Sequence, residues 1–272
     1  MRVFRYYKAE YGLKVLNDLE IRASIPNALN DPFELSPNID PAQFTQKTCA
    51  SFLRQDHEID HWYRREGVQR GFSSKKAFKR WYLKDIPRRA AELLPRFPQN
   101  VEQVRKSFAE QFSEDWRIIC ASQVCHSILM WSHSADNHTG LVLELETNEV
   151  PFSSIPEYIL TVKYEEKKPE FIYTHKPEAF AKAYLPIAAV KAVDWAYEKE
   201  VRIVLPRKPL KDGRVVPISS ACIKGIYLGC RSSAETMKSV RSALINPKLQ
   251  DTKLIKAEKN PSEYALKFVE IT

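Results

Sequence analysis

No stretch of this chain approaches the ~20 consecutive apolar residues that a membrane-spanning helix needs, so no such helix is expected. Met1 to Gly12 lacks the apolar core of a secretory signal, which makes a cytoplasmic setting the expectation. Cysteine is scarce. The five present (Cys49, Cys120, Cys125, Cys222 and Cys230) are odd in number and not tightly paired, which suits reduced, buried thiols better than a disulfide framework. Cys120 and Cys125-His126 have no second pair at ligand spacing, so no metal site is expected. Internal repeats and low-complexity tracts are also missing, which argues against a solenoid.

What is present fits a globular protein. The 272 residues are 44% hydrophobic and 28% charged, enough for one domain with an insertion. The net charge is +8. Between Trp62 and Arg96 there are eleven Lys or Arg against three Asp or Glu, a local balance of +8, so the excess sits in one segment.

Periodicity predicts an α+β (or α/β) fold over residues 1–272, with a mixed, mainly antiparallel sheet and a basic helical insertion at about 41–117. Strands are expected at Arg2–Tyr7, Ile21–Ser24, Ile118–Ser122, Gly140–Leu145, Tyr158–Tyr164, Trp195–Pro206, Val215–Ile218, Ile223–Leu228, Lys253–Ala257 and Tyr264–Val269, the last two as a hairpin. Ile128–Ser132 is a short apolar run. Helices are expected from Tyr11 to Leu19, over 177–191 with Pro186 as a kink, and from Ser233 to Leu244. Within the insertion, Pro87, Pro95 and Pro98 are expected to separate several helices. Asn30-Asp31-Pro32-Phe33-Glu34 has turn chemistry, with Phe33 expected to plug into the core.

The segment Trp195 to Pro206 carries the chemistry that stands out. On a strand, residues two apart share a face, so Glu198 and Glu200 project together, with Arg202 and Val204 continuing that face. Paired glutamates repel unless a cation, a hydroxylated ligand or a shared proton holds them.

Three segments in order resemble the bacterial family called domain of unknown function 2971: Asn30–Glu34, Met130–Gly140 and Trp195–Arg202. Two positions depart from it. Ala121 stands before Ser122 where the family usually has an aromatic residue, and Ser134 stands where it usually has tyrosine, so a pocket wall built by those rings would be altered. More remotely, Arg5, Ser122 and Glu198-Lys199-Glu200 are similar to the ordered signatures of ADP-ribosyltransferases of the arginine-serine-glutamate type. That resemblance implies NAD as substrate and an acceptor it does not identify, in a bacterial defence or toxin context. It implies Arg5 on the pyrophosphate, Tyr6 or Trp131 stacked on a ring, and Ser122 supporting the nicotinamide pocket. Glu200 would hold the ribose hydroxyls beside an oxocarbenium-like centre, and Glu198 would orient or deprotonate the acceptor. Asn30, Asp31, Phe33, Glu34, His133 and Arg202 are further candidates for the pocket wall.

Each candidate also has a plainer explanation. Arg5 could be an ordinary ion-paired surface residue, Ser122 a satisfied core hydroxyl, and Trp131 and Trp195 core residues. His133 and His138 could belong to a polar turn closed by Gly140, and Arg202 could simply neutralise Glu200. Two other functions compete. Lys76, Arg80 and Lys84 recur every four residues among Trp62, Tyr63, Phe72, Trp81 and Tyr82, which suits nucleic acid through phosphate neutralisation and base stacking. Alternatively, a degenerate enzyme fold could serve as a protein-interaction module.

Overall fold

The computed structural model describes residues 1–40, 46, 49–93, 101–171 and 184–271, with Leu93, Val101 and Val104 described by backbone alone. The chain divides into two compact units, Met1–Glu34 with Gln111–Lys167 and Ala188–Thr272, and Leu35–Glu110 with Lys168–Ile187.

The first unit is built on an eight-stranded sheet in the order β12-β11-β10-β4-β1-β3-β8-β5. Its strands are β1 (Arg2–Tyr7), β3 (Trp116–Ser122), β4 (Leu141–Glu146), β5 (Ile159–Thr161), β8 (Glu200–Pro206), β10 (Ile223–Leu228), β11 (Lys253–Lys259) and β12 (Leu266–Glu270). Every neighbouring pair is antiparallel except β10 with β11. A parallel pair needs a crossover, and the helix Ala234–Leu244 supplies it, capped by Ser233 Oγ accepting from Thr236 N. The fold is therefore α+β with a mixed, mainly antiparallel sheet, as the periodicity predicts. Small pairs lie beside it: β2 (Glu20–Arg22) with β9 (Val215–Pro217), and β6 (Lys163–Glu165) with β7 (Val190–Ala192).

The period-two alternation of β1 sorts its side chains between two cores. Val3 and Tyr7 join Ile119, Ala121, Leu143, Val201 and Ile203, covered by Leu16 of the helix Ala9–Asp18 and Val240 of the crossover helix. Tyr6 and Phe4 face the other way, toward Trp131, Ala135 and Val142.

Several expectations need correction. The apolar run Ile128–Ser132, for which no element was expected, forms a helix, Ile128–His133, capped by Ser127 Oγ at Met130 N. Tyr158–Tyr164 is broken at buried Val162, where the chain changes partners: Val162 N donates to the Glu200 carbonyl and Lys163 N to the Ala189 carbonyl. The helix expected over 177–191 lies partly outside the described residues. Residues 184–188 are helical, and Val190–Ala192 is a strand.

Among its described residues the second unit is mainly helical. Asp56–Trp62 continues through a π-helical turn, Tyr63–Gly67, and Lys75–Leu93 packs Phe78, Tyr82, Ile86 and Ala90 onto Cys49, Leu53 and Ile59. Pro87 does not break this last helix. Its lost hydrogen bond costs about 3 kcal/mol, which the apolar face on both sides of it and the Arg88 and Arg89 bonds to Asp85 offset. Pro95 and Pro98 lie outside the described residues. Among the described residues no helix is long and apolar enough to cross a membrane.

Candidate functional site

A cleft of about 560 Å3 opens in the first unit, where β1 meets β3. The two strands pair at Phe4 and Ser122 and separate beyond that point. Arg5, Tyr6, Cys120 and Ala121 wall the gap, and Glu34, His133, Lys191, Trp195, Tyr197, Glu198 and Glu200 complete the cleft.

The glutamate strand differs from its expectation. Val193–Glu198 is a 3-10 helix, Lys199 is left-handed at φ 47°, and β8 starts only at Glu200. Glu198 is therefore not on the strand. The chain is bent here by bonds from β3: Ser122 Oγ donates to the Glu198 carbonyl at 2.6 Å, and Gln123 N donates to the Lys199 carbonyl. The two carboxylates converge all the same, because one ammonium bridges them. Lys191 Nζ lies 2.5 Å from Glu198 Oε2, 3.3 Å from Glu200 Oε2 and 2.9 Å from Glu34 Oε1. It also sits 4.6 Å from the centroid of the Trp195 ring.

Arg202 completes the network from β8. Its Nε donates to Glu200 Oε1 at 2.9 Å, its Nη2 to Glu34 Oε2 at 2.8 Å and to Glu200 Oε2, and its Nη1 to the Ala188 carbonyl. Three carboxylates thus face two cations, all nearly excluded from solvent. The surroundings divide the two glutamates. Burial alone would raise Glu200, but Arg202 and Lys191 more than reverse it, and its carboxyl lies below the usual range. Burial raises Glu198 above that range despite its bond to Lys191. Glu200 has both oxygens committed, whereas Glu198 engages Lys191 through Oε2 alone.

Ser122 is fully buried and satisfied, with Oγ accepting from Val124 N at 3.1 Å. It is a core hydroxyl whose effect on the cleft is to fix the Glu198 backbone. Ser122 is also the register partner of Glu200 on β8, so β1, β3 and β8 bring the strands of Arg5, Ser122 and Glu200 side by side. Their side chains do not all meet. Arg5 alternates with Phe4 and so takes the face opposite Ser122. Its Nη2 donates to the Arg22 carbonyl at 3.0 Å, its guanidinium lies over the Tyr7 ring, and its Nη1 is buried without a partner.

The ring residues exchange roles. Trp131, expected to stack on a ligand, is 0% exposed; its indole N–H donates to the Cys125 carbonyl and its ring meets Tyr6 edge-on. Tyr6 is a buried wall residue whose hydroxyl donates to the Val124 carbonyl. The accessible rings are those of Trp195 and Tyr197. Tyr197 Oη is 3.1 Å from His133 Nε2, and His133 Nδ1 is 2.9 Å from Ser134 Oγ. Burial, with help from Lys191, lowers the His133 pKa.

The Asn30–Glu34 turn forms as its sequence predicts, with Asp31 Oδ1 accepting from Phe33 N at 2.8 Å. Phe33 is not a core plug, being 66% exposed. The turn instead buries Glu34, while Asn30 lines the cleft and Asp31 keeps a buried Oδ2 without a partner. Lys191 is the residue that sequence reasoning missed. Its one signal was a lone lysine inside the apolar run Ile187–Val193.

In the second unit, Lys76, Arg80 and Lys84 are exposed along one face of Lys75–Leu93, and none forms an ion pair among the described residues. The aromatics between them are not available for base stacking. Phe78 and Tyr82 are fully buried, and Trp62, Trp81 and Tyr82 surround the guanidinium of Arg89.

Residues 130–203 match the family described as "Protein of unknown function (DUF2971)". That span contains His133, Lys191, Glu198, Glu200 and Arg202, and leaves out Arg5, Glu34 and Ser122. Neither the curated proteins nor the solved structures contain a match.

Proposed function

We propose that the cleft binds NAD and transfers its ADP-ribosyl group to an acceptor, in the manner of ADP-ribosyltransferases of the arginine-serine-glutamate type and in a bacterial defence or toxin setting. The observation that carries this is the Ser122–Glu200 register, with Phe4 of β1 on the other side of Ser122. It sets the three signature strands edge to edge around one cleft lined by carboxylates and rings.

Glu198, with one uncommitted oxygen and a raised pKa, is the carboxylate suited to meet the substrate. As the bond from the ribose anomeric carbon to the nicotinamide nitrogen breaks, nicotinamide leaves with the bonding electrons. The buried negative charge then stabilises the oxocarbenium-like centre. The acceptor attacks that carbon and gives its proton to Glu198. Glu200, held by Arg202 and Lys191, sets the field and positions Glu198 through the shared ammonium. Trp195 and Tyr197 offer faces for the nicotinamide ring, and Arg5, on the cleft wall, would contact a pyrophosphate oxygen on releasing its bond to the Arg22 carbonyl.

The test is a labelled-NAD transfer and hydrolysis assay on wild type, Glu198→Gln and Ser122→Ala. The expected result is turnover by wild type and a loss of at least 100-fold in Glu198→Gln, within the usual range for removing a general base. Equal signal from wild type and Glu198→Gln would discard the assignment.

A second function draws on the exposed, unpaired Lys76, Arg80 and Lys84: contact with nucleic-acid phosphates from one helix face, without base stacking.

A further inference from the structure

The connection between β8 and β9, Arg207-Lys208-Pro209-Leu210-Lys211-Asp212-Gly213-Arg214, carries four basic residues against one acid. Backbone pairing brings two of its arginines to a third. Arg207 N donates to the Asp115 carbonyl at 2.7 Å, beside Arg117 on β3. Ala23 N donates to the Arg214 carbonyl at 2.8 Å, and the next residue, Ser24, bridges to Ile118. Alternation puts Arg117 on the face of Ile119 and Ala121, and Arg207 follows Ile203 and Leu205 on that same face. The Arg207 side chain folds back over the hairpin, its Nε 3.1 Å from where a Cβ on Gly213 would stand.

We propose that Arg117, Arg207 and Arg214 form a binding site for a phosphate or pyrophosphate group. Arg117 is only 5% exposed. Its Nη1 donates to the Ser113 and Trp116 carbonyls at 2.6 and 2.5 Å, and its Nε is buried with no partner. Arg214 Nε reaches only the Ala23 carbonyl, at 3.4 Å. None of the three makes an ion pair among the described residues. The neighbouring acids bond elsewhere or form no ion pair with them among the described residues: Asp115 Oδ2 accepts from Gln111, Glu20 pairs with Lys211, and Asp212 lies at the exposed tip of the loop.

A buried guanidinium beside two like charges, with no carboxylate paired to it, is costly unless an anion joins it. Burial, then the charges of Arg207 and Arg214, hold Arg117 below the usual guanidinium range, the direction expected of a cation without a counter-ion. Planar forks match phosphate oxygens in pairs. Three arginines brought to one corner of the sheet fit a compact polyanion better than the extended row a nucleic-acid strand presents. The site is separate from the carboxylate cleft, because β8 spans roughly 20 Å between Glu200 and Pro206.

The test follows the arginine Nε–Hε resonances of the full chain by NMR while inorganic pyrophosphate is titrated at fixed ionic strength. The resonance that disappears in Arg117→Lys should shift saturably in the wild type. The Arg207→Ala/Arg214→Ala double variant, altered at more accessible positions, should keep its fold by circular dichroism and bind at least tenfold more weakly. A single-stranded oligonucleotide that competes with pyrophosphate would assign the phosphate to nucleic acid, and failure to compete would assign it to a small molecule. No shift at millimolar pyrophosphate, or equal affinity in the double variant, overturns the proposal.

Discussion

Glu198 and Glu200 are chemically identical and two residues apart, yet the fold gives them different work. Glu200 accepts from Arg202 at both oxygens and from Lys191, in a place where Arg202 has no exposure. Removing its charge strands a buried guanidinium, so Glu200→Gln should cost about 3–5 kcal/mol of stability. Glu198→Gln should cost clearly less, because its amide oxygen still accepts from Lys191. Urea titration of both variants checks this, and equal losses would mean that the network does not separate them. The approach of the two glutamates and the pairing of Glu200 with Arg202 were legible in the sequence. Lys191 and Glu34 were not legible as their partners, since they lie 9 and 166 residues from Glu200 and only the packed chain places them at one ammonium and one guanidinium.

Among the elements, the turn at Lys199 decides the geometry of the cleft. Strand alternation would have put Glu198 and Glu200 on one face of a straight strand. The left-handed Lys199 achieves their approach differently, by ending a 3-10 helix against β3. An L-residue in that conformation is disfavoured by roughly 1–2 kcal/mol, and glycine is exempt. Lys199→Gly is therefore expected to hold or raise the thermal midpoint, whereas Lys199→Val, β-branched and still less tolerant of positive φ, should lower it. If the valine variant melted with wild type, the turn would not be conformationally constrained. Most strands were legible, because alternation or a continuous apolar run bounded by polar residues marks them. The strand pairs β5–β8 and β6–β7 were not, since the break at Val162 is made by hydrogen bonds to two distant segments.

For the whole molecule, ionisation sets a window of stability. Glu200 has a lowered pKa, so its contribution is present above the unfolded value of 4.5 and is lost as pH falls through the lower folded value. Glu66 and Asp85, lowered by Arg89 and by Arg88 respectively although burial opposes both, act in the same direction in the second unit. Lys191 is raised by Glu200 and Glu34 against its burial, so its contribution is full below 10.5 and is lost as pH rises through the folded value. Glu198 runs the other way: its raised pKa gives stability below 4.5 that fades as pH rises toward the folded value. Thermal midpoints measured across pH should therefore fall on the acid side below about 4.5 and on the alkaline side above about 10.5. A shallower acid limb in Glu200→Gln would assign part of that limb to this carboxylate, and an unchanged limb would remove it. In the second unit, neutralising Lys76, Arg80 and Lys84 should weaken any nucleic-acid binding and reduce its salt slope, and unchanged binding would remove that function. The sequence by itself determined the α+β class, most of the strands, the basic helix and the presence of a special glutamate pair, because periodicity and local charge are properties of neighbours along the chain. The tertiary structure alone decided that Trp131 is core while Trp195 is accessible, that Glu34 is buried while Phe33 is exposed, and that one lysine bridges three carboxylates. Burial and charge pairing depend on which distant segments pack together, and no local pattern encodes that.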